Sequence, residues 1–243
     1  MKKVARTGTI IALVLLALAT IPAYRLYGEI QKAISEDPTV WQEDVAKLVE
    51  ATRSRGELTD AVLFIGSSSI RFWNTLERDM QPLVTIRHGF GGAKLGDLDF
   101  YAEQLVTAFS PRAVVVFAGS NDLQPGDTKP PEVLLETYRR FVAKVRSKLP
   151  SAPIYFIGIT PTPLRWDVWE MILETNAVIR KYCDEQPGLH YIETGPLLLA
   201  ADGTPNLANY KFDRLHLSER GYEIWTEVIR GRLMKDLKTS AAS

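Results

Sequence analysis

Residues 62–70 read Val-Leu-Phe-Ile-Gly-Ser-Ser-Ser-Ile, an apolar run that ends in one glycine and three serines. A short run without polar alternation is typical of a strand buried on both faces of a parallel sheet. The small residues that follow predict a turn into a helix, with Ser68 at the helix N-terminus, where backbone N–H groups can receive an oxyanion. A plain serine-rich helix cap is the alternative. The stretch therefore predicts a strand–turn–helix unit that presents a serine at the edge of a sheet.

Four further apolar runs of the same kind follow, and helical patterns separate them. Strands that alternate with helices predict right-handed crossovers and a parallel sheet covered on both faces. We therefore predict a three-layer α/β/α sandwich with a five-stranded parallel sheet over residues 61–238. The predicted strands are Ala61–Ile65, Leu83–Ile86, Ala113–Ala118, Ile154–Ile159 and Leu189–Ile192, and the predicted helices are Asp97–Phe109, Pro131–Leu149, Trp169–Gln186 and Ser218–Lys238.

The composition is that of one globular domain, which is large enough to be stable without a disulfide or a bound metal ion. The chain has 243 residues, and 29 Lys plus Arg balance 29 Asp plus Glu, so the formal net charge is zero. A nucleic-acid binder carries a basic surface, so this balance argues against nucleic acid as a partner. The single cysteine, Cys183, excludes an internal disulfide and a Cys-rich zinc site, and its helical pattern predicts a small buried side chain.

The first 28 residues are typical of a targeting segment. Lys2, Lys3 and Arg6 precede an uncharged run at residues 7–24, which as a helix is just long enough to cross a membrane. Ala17-Leu18-Ala19 offers a cleavage site whose use would release a soluble exported protein. The alternative is a signal-anchor helix that keeps the domain membrane-anchored outside the cytoplasm, and the length of the run favours this anchor.

Residues 29–60 connect this segment to the domain and are mostly polar. Trp41, Val45, Leu48 and Val49 recur there at helical spacing, which predicts a short amphipathic helix that packs on the domain. A polar connector follows it. Residues 239–243 are expected to be a tail.

Among the three histidines of the chain, His216 is the best candidate for acid–base chemistry because of the residues around it. Asp213 precedes His216 by three positions, just before the last predicted helix. This spacing brings both side chains to one face of a turn. The carboxylate can then accept a hydrogen bond from the imidazole Nδ1–H, which leaves Nε2 free to take a proton. The alternative is an aspartate that caps the helix, with an incidental histidine nearby.

Two loops after predicted strands offer donors for a developing negative charge. They lie at the sheet edge where open α/β folds bind ligands. Gly89-Phe90-Gly91-Gly92 follows the second strand, and its glycines let the backbone approach a ligand closely. Asn121 follows the third strand and carries a side-chain amide donor. Acyl transfer uses two or three donors of this kind. Turn-forming glycines and an Asx-turn are the alternative.

Together the four blocks resemble the SGNH or GDSL family of hydrolases, in order and in rough spacing, over about residues 61–232. The matching positions are Ser68 in the first block, Gly92 in the second, Asn121 in the third, and Asp213 and His216 in the fourth. Ser67 departs from the family pattern, because the family has aspartate there. That aspartate is not a triad member in the family. The resemblance is closest to the platelet-activating-factor acetylhydrolase catalytic subunits and bacterial GDSL-type esterases.

The resemblance implies a flavodoxin-like sandwich and a serine esterase that needs no metal or organic cofactor. It implies Ser68 as nucleophile, His216 as base and Asp213 as the residue that orients the base. It further implies an oxyanion hole made by Ser68, Gly92 and Asn121. The substrate is expected to be a short-chain acyl ester, including O-acetyl groups on carbohydrate, carried by a small molecule, a glycan or a lipid.

Arg165 and Trp166 are candidate substrate-binding residues in the loop that follows the fourth strand. The arginine suits an anionic group, and the indole face suits a sugar or an acyl chain. The alternative for the tryptophan is simple packing at the start of the next helix. Lysophospholipase or thioesterase activity, acyl transfer to another alcohol, and a non-catalytic glycan-binding module are the competing functions. The sequence leaves the oligomeric state open.

Overall fold

Five parallel strands form the central sheet of the computed structural model, which describes residues 27–239. In chain order the strands of this sheet are β1 (Val62–Gly66), β2 (Thr85–Gly89), β3 (Ala113–Phe117), β6 (Ile154–Ile157) and β7 (Leu189–Ile192). Between β3 and β6, strands β4 (Leu123–Gln124) and β5 (Asp127–Thr128) form a separate antiparallel hairpin. The order across the sheet is β2-β1-β3-β6-β7, with parallel pairing throughout. The predicted five-stranded parallel sheet is confirmed.

Helices cover both faces of this sheet, which completes the predicted three-layer sandwich. The α-helices are α1 (Gln42–Arg53), α2 (Ser68–Arg71), α3 (Leu76–Asp79), α4 (Leu95–Phe100), α5 (Ala102–Leu105), α6 (Pro131–Lys148), α7 (Trp169–Glu185) and α8 (Glu219–Thr239). Short 3-10 helices lie at Pro38–Trp41, Thr107–Phe109, Pro163–Val168, Gly195–Leu198 and Leu207–Asn209. Residues 27–34 are also helical.

Strand β1 is buried from both sides because its side chains alternate between two apolar clusters. Leu63 and Ile65 belong to the cluster that β1 shares with α1, α4, α5, α6 and α7. Val62 and Phe64 point the other way, into the cluster that contains Trp225 of α8. Full burial of each large apolar side chain contributes roughly 1.5–3 kcal/mol. The carboxyl end of β1 is therefore a firmly held position.

The ends of β1, β2 and β3 lie at one level of the sheet. Gly66 pairs in register with Gly89 on one side and with Phe117 on the other. The chain leaves β1 for β2 on one side and then returns to β3 on the opposite side. Such a reversal of strand order opens the crevice in which α/β folds bind ligands. The loops after these three strands therefore emerge side by side.

The prediction of one continuous helix at Asp97–Phe109 is wrong, because the chain there forms two short helices, α4 and α5, and a 3-10 turn. The break between α4 and α5 falls at Tyr101, whose φ of −94° and ψ of 10° are not helical. The Tyr101 ring packs edge-on against Phe90, and its hydroxyl donates to the carbonyl of Pro38 at 3.0 Å. These tertiary contacts override the local helical pattern.

The second strand lies later than predicted, at Thr85–Gly89 instead of Leu83–Ile86. β2 is an edge strand of the sheet, and its two polar residues each have hydrogen-bond partners. Arg87 is exposed and donates to the carbonyl of Trp73 at 2.9 Å. His88 is buried and satisfied by hydrogen bonds. The predicted strand ends at Ile86, the last residue of the apolar run, because Arg87 and His88 are polar.

The predicted targeting segment lies almost wholly outside the described residues. Within the described range, α1 corresponds to the predicted amphipathic helix, and its Val45 is buried. Trp41, also buried, is the last residue of the preceding 3-10 helix. Over residues 27–239, no helix combines the length and the apolar character that a membrane crossing requires.

Gly89 is required where β2 meets α2, which generates a stability prediction. A Cβ at Gly89 would lie 2.1 Å from the backbone nitrogen of Arg71, so alanine there has to push α2 away from the sheet. We expect Gly89→Ala to lower the free energy of unfolding by about 1–3 kcal/mol, the usual range for an overpacked core. Urea denaturation measures this.

The matched control is Gly96→Ala in α4, where an added Cβ meets open space. Because alanine is the better helix former, this variant should be as stable as the wild type or slightly more stable. Equal stability of Gly89→Ala and the wild type would contradict the packing described for β2 and α2.

Candidate active site

Ser68 is the first residue of α2, directly after the turn that ends β1. The preceding residue, Ser67, has extended backbone angles and is the N-cap of the helix. Backbone N–H groups in the first turn of a helix have no acceptor within the helix. Ser68 is partly exposed, so its hydroxyl is accessible beside the free N–H groups of the helix terminus.

The Asp213–His216 turn is fixed by its own backbone. An isolated bridge between Tyr210 and Leu217 closes the loop, and Arg214 adopts a left-handed φ of 57° that tightens it. Asp213 Oδ1 accepts the backbone N–H groups of Leu215 at 3.0 Å and of His216 at 2.9 Å. The aspartate therefore caps this turn and still has Oδ2 available for the imidazole.

Three side chains form one continuous hydrogen-bonded chain at the carboxyl edge of the sheet. His216 Nε2 lies 2.9 Å from Ser68 Oγ, and His216 Nδ1 lies 2.7 Å from Asp213 Oδ2. With Nδ1–H donating to the carboxylate, Nε2 is the acceptor for the serine hydroxyl. The Phe72 ring meets the imidazole edge-on at 4.8 Å and limits its movement. The structure thus brings together Ser68, Asp213 and His216, as the sequence predicted.

Asp213 is held in its ionised form. Partial burial raises the pKa of this carboxyl group, but hydrogen bonds from the His216 side chain and from the backbone N–H groups of His216 and Leu215 outweigh that effect. The net result is a pKa below the usual aspartate value. The carboxylate therefore remains negative at neutral pH and can stabilise a positive charge on the imidazole.

Asn121 and Gly92, in the loops after β3 and β2, lie next to each other. Asn121 Nδ2 donates to the carbonyl of Ala93 at 2.9 Å, which uses one of its two hydrogens. A Cβ placed on Gly92 would lie 4.0 Å from the same nitrogen. The Asn121 amide and the backbone of Gly92 are therefore neighbours, and Asn121 keeps a second amide hydrogen for another acceptor. Their role as donors to an oxyanion stays a prediction.

Arg165 does not offer its guanidinium to a ligand, contrary to the expectation that it binds an anionic group. The residue is only 6% exposed. Its Nη2 donates to Asn121 Oδ1 at 2.8 Å, and its Nη1 donates to Ser120 Oγ at 2.9 Å. Burial lowers the pKa of Arg165 to about 10, although Asp122 opposes the shift, so the side chain is still a cation at neutral pH. Arg165 thus contacts the candidate oxyanion residue and not the open crevice.

Trp166 stacks on Trp169 with ring centroids 5.7 Å apart at the beginning of α7. This is the packing arrangement that the sequence left as the alternative to substrate contact. Trp166 is half-buried.

The other two histidines lie away from this site. His88 is buried, with Nδ1 2.6 Å from the carbonyl of Leu105 and Nε2 2.8 Å from Thr52 Oγ1. Burial lowers its pKa to about 4, which keeps the ring neutral. His190 stacks on Tyr155 near the start of β7. Both rings are structural.

Several supporting residues were missed by sequence reasoning. Phe72 and Ser120 lie next to predicted site residues, but nothing in their type indicated contact with His216 or Arg165. Asp122 Oδ2 accepts the N–H of Leu95 at 2.9 Å and so holds the loop after β2 against the loop after β3. Within residues 27–239, no three His, Cys, Asp or Glu side chains are grouped closely enough to hold a metal ion.

Solved structures with this fold include several hydrolases. A Streptococcus pneumonia protein, provisionally described as a platelet activating factor, superimposes with a TM-score of 0.70 at 18% identity, over 90% of this chain and 99% of its own. A GDSL-like lipase from Bacteroides thetaiotaomicron gives 0.66 at 16% identity, over 79% and 97%. Axe2, an acetylxylan esterase from Geobacillus stearothermophilus, gives 0.57 at 18% identity, over 70% and 92%.

The model of the GDSL-like lipase/acylhydrolase family matches residues 59–224, a span that contains all seven predicted site residues. Comparison with curated proteins gives no match. The fold and this match define the protein as a carboxylic ester hydrolase. The chain belongs to the GDSL-like lipase/acylhydrolase family, which confirms the resemblance inferred from its four sequence blocks.

Proposed function

We propose that the protein is a serine esterase that hydrolyses short-chain acyl esters through a covalent acyl-enzyme. The observation that carries this proposal is the 2.9 Å contact between Ser68 Oγ and His216 Nε2, in a chain that ends on Asp213. A serine alone is a weak nucleophile at neutral pH. A base within hydrogen-bond distance, itself oriented by a carboxylate, activates it.

In the acylation step, Ser68 Oγ attacks the ester carbonyl carbon while its proton passes to His216 Nε2. The carbonyl oxygen becomes an oxyanion, to which the N–H groups of Ser68 and Gly92 and the Asn121 amide donate hydrogen bonds. The negative carboxylate of Asp213 stabilises the imidazolium. When the intermediate collapses, the bond to the alcohol oxygen breaks, and His216 returns its proton to that oxygen.

The deacylation step repeats this sequence with water. His216 Nε2 takes a proton from water, and the hydroxide oxygen bonds to the acyl carbon of the ester on Ser68. Collapse of the second oxyanion breaks the bond to Ser68 Oγ, which regains its proton from His216. The free carboxylic acid leaves. An alcohol in place of water would give acyl transfer by the same steps.

For the substrate we propose O-acetyl or other short acyl groups on carbohydrate. The likeness to an acetylxylan esterase supports this choice at the level of the fold. Residues 1–28 support an exported location, anchored or released, because a basic start and an apolar run form the layout of an export signal. Envelope glycans would then lie within reach of the domain.

Lipid esters are the second candidate substrate, and one observation favours them. Phe212, next to Asp213, has a fully exposed side chain, and Leu164 is more than half exposed. Leu164 is tied to the same loop, because its N–H donates to the carbonyl of Arg214 at 3.0 Å. Exposed apolar side chains at the entrance of a site suit a lysophospholipid. A series of aryl esters of increasing acyl length distinguishes the two candidates.

Replacement of the nucleophile tests the proposed function. Ser68→Ala should lower kcat for an aryl acetate by about 10⁴-fold or more, because loss of a triad member leaves only oxyanion stabilisation and binding. The matched control is Ser69→Ala, which changes the neighbouring serine of the same helix and should stay within a few-fold of wild type. Full activity of Ser68→Ala, with a folded circular dichroism spectrum in both variants, would refute the proposal.

Arg165 is proposed to act by positioning Asn121, and a double-mutant cycle tests this. Its bond to Oδ1 fixes the orientation of the Asn121 amide. Arg165→Gln should therefore lower kcat by about 10–100-fold with little change in KM, which is less than the ~10²–10³ that loss of a donor costs. In an Asn121→Ala background the same substitution should cost less than about three-fold.

The control for this cycle is Ser120→Ala, which removes the other partner of Arg165 and leaves its bond to Asn121 in place. It should retain most of the activity. An equal loss from Arg165→Gln in both backgrounds would show that the arginine supports the fold or binds substrate directly, and would contradict the positioning role.

A further inference from the structure

The segment at residues 27–36 lies against the proposed oxyanion site. A Cβ added to Gly92 would lie 2.4 Å from the methyl carbon of Ala33, so the two residues are in van der Waals contact. Gly92 is thus enclosed on one side by Asn121 and on another by Ala33. The family match begins at residue 59, so this contact comes from outside the matched span.

One end of the segment is attached to the helix that carries the serine. Glu29 Oε2 lies 2.6 Å from Arg71 Nη1, and Arg71 is the last residue of α2. In the middle, Lys32 Nζ lies 2.6 Å from Asp44 Oδ2 of α1 and 5.6 Å from the centre of the Trp41 ring. These contacts orient the helix so that Ala33 faces Gly92.

The other end is attached to the loops that carry the proposed oxyanion donors. Lys94 is only 4% exposed, and its Nζ donates to the carbonyl of Ser35 at 3.0 Å and pairs with Glu36. A cation at the C-terminal carbonyls of a helix stabilises that end. Lys129 bridges Glu36 at 2.9 Å and Asp122 at 3.0 Å, and Asp122 directly follows Asn121.

The stereochemistry of the tetrahedral intermediate shows which part of a substrate meets this segment. The acyl carbon bonds to Ser68 Oγ, to the oxyanion, to the alcohol oxygen and to the acyl chain. The alcohol oxygen has to lie near His216 Nε2, because it receives a proton from there. The oxyanion takes the position that faces the N–H of Gly92 and the Asn121 amide, which brings the acyl carbon close to Gly92. The acyl chain takes the remaining position, away from His216, and so begins near Gly92 and the residue that covers it.

We propose that residues 27–36 form the wall of the acyl pocket and that Ala33 sets the length of acyl group that fits. This inference rests on the proposed function, because it deepens the description of the same site. The segment is fixed at both ends, and the methyl group of Ala33 is the part of it that contacts Gly92. The predicted preference is acetyl over longer acyl groups.

Replacement of Ala33 by glycine tests the wall. The full-length wild type and Ala33→Gly are assayed with aryl acetate, propionate and butyrate, and kcat/KM is measured for each ester. Because one methylene in a fitted pocket is worth about 10–200-fold in discrimination, the butyrate-to-acetate ratio should rise about ten-fold or more in the variant.

Ala46→Gly is the matched control, because it makes the same substitution at an exposed position of α1. It should carry a similar loss of helix propensity and leave the ratio of the two esters unchanged. A second variant, Glu29→Ala, releases the segment from Arg71 and should move the ratio in the same direction as Ala33→Gly.

An unchanged ratio in Ala33→Gly would overturn the inference, and so would an equal change in Ala46→Gly. Either result leaves the proposed function standing, because the wild type still hydrolyses the esters through Ser68. Failure of the wild type to hydrolyse any of the three esters would instead overturn the proposed function, and the acyl wall with it.

Discussion

The contact between the Ser68 hydroxyl and the His216 imidazole is the interaction on which the rest of the site depends, and it joins residues 148 positions apart. The serine is fixed by β1, which is buried on both faces of the sheet. The histidine is fixed by the loop before α8. Tyr222 of α8 donates to the carbonyl of Ser69 at 2.8 Å, and its ring stacks on Trp73. The helix that follows the histidine is thereby docked onto the helix that starts at the serine.

Close backbone packing and buried polar contacts bring the remaining parts of the site to the same edge. A side chain at Gly66 would clash with the carbonyl oxygen of Phe117, so only glycine lets β1 end this close to β3. Asp122 has its pKa raised by burial, although Lys129 and the N–H of Leu95 stabilise its charge. A buried polar group without a hydrogen-bond partner lowers the stability of the fold, whereas a fully hydrogen-bonded one favours a single arrangement of the residues around it. The proposed donors are therefore set in place before substrate binds.

Local sequence patterns predicted those elements of the molecule that are determined by interactions between residues close in sequence. Continuous apolar runs indicated buried strands, and the three-residue spacing from Asp213 to His216 indicated a turn that pairs them. The pattern failed where tertiary contacts decide, as at Tyr101, which divides a predicted helix, and in β2, whose polar end is tolerated at a sheet edge. The partner of Arg165 was also unpredictable, because no local signal indicates that a loop arginine is buried against an amide 44 positions earlier. Ala33 carried no signal of any kind.

The central claim is that residue 68 is the nucleophile and residue 216 its base, and covalent labelling tests it most directly. Full-length protein is treated with a fluorophosphonate, and the adduct is located by peptide mapping with mass spectrometry. The account predicts one adduct per chain, on Ser68, formed far more slowly when His216 is replaced by alanine. An adduct on another residue, or none on a protein that still hydrolyses aryl acetate, would contradict it.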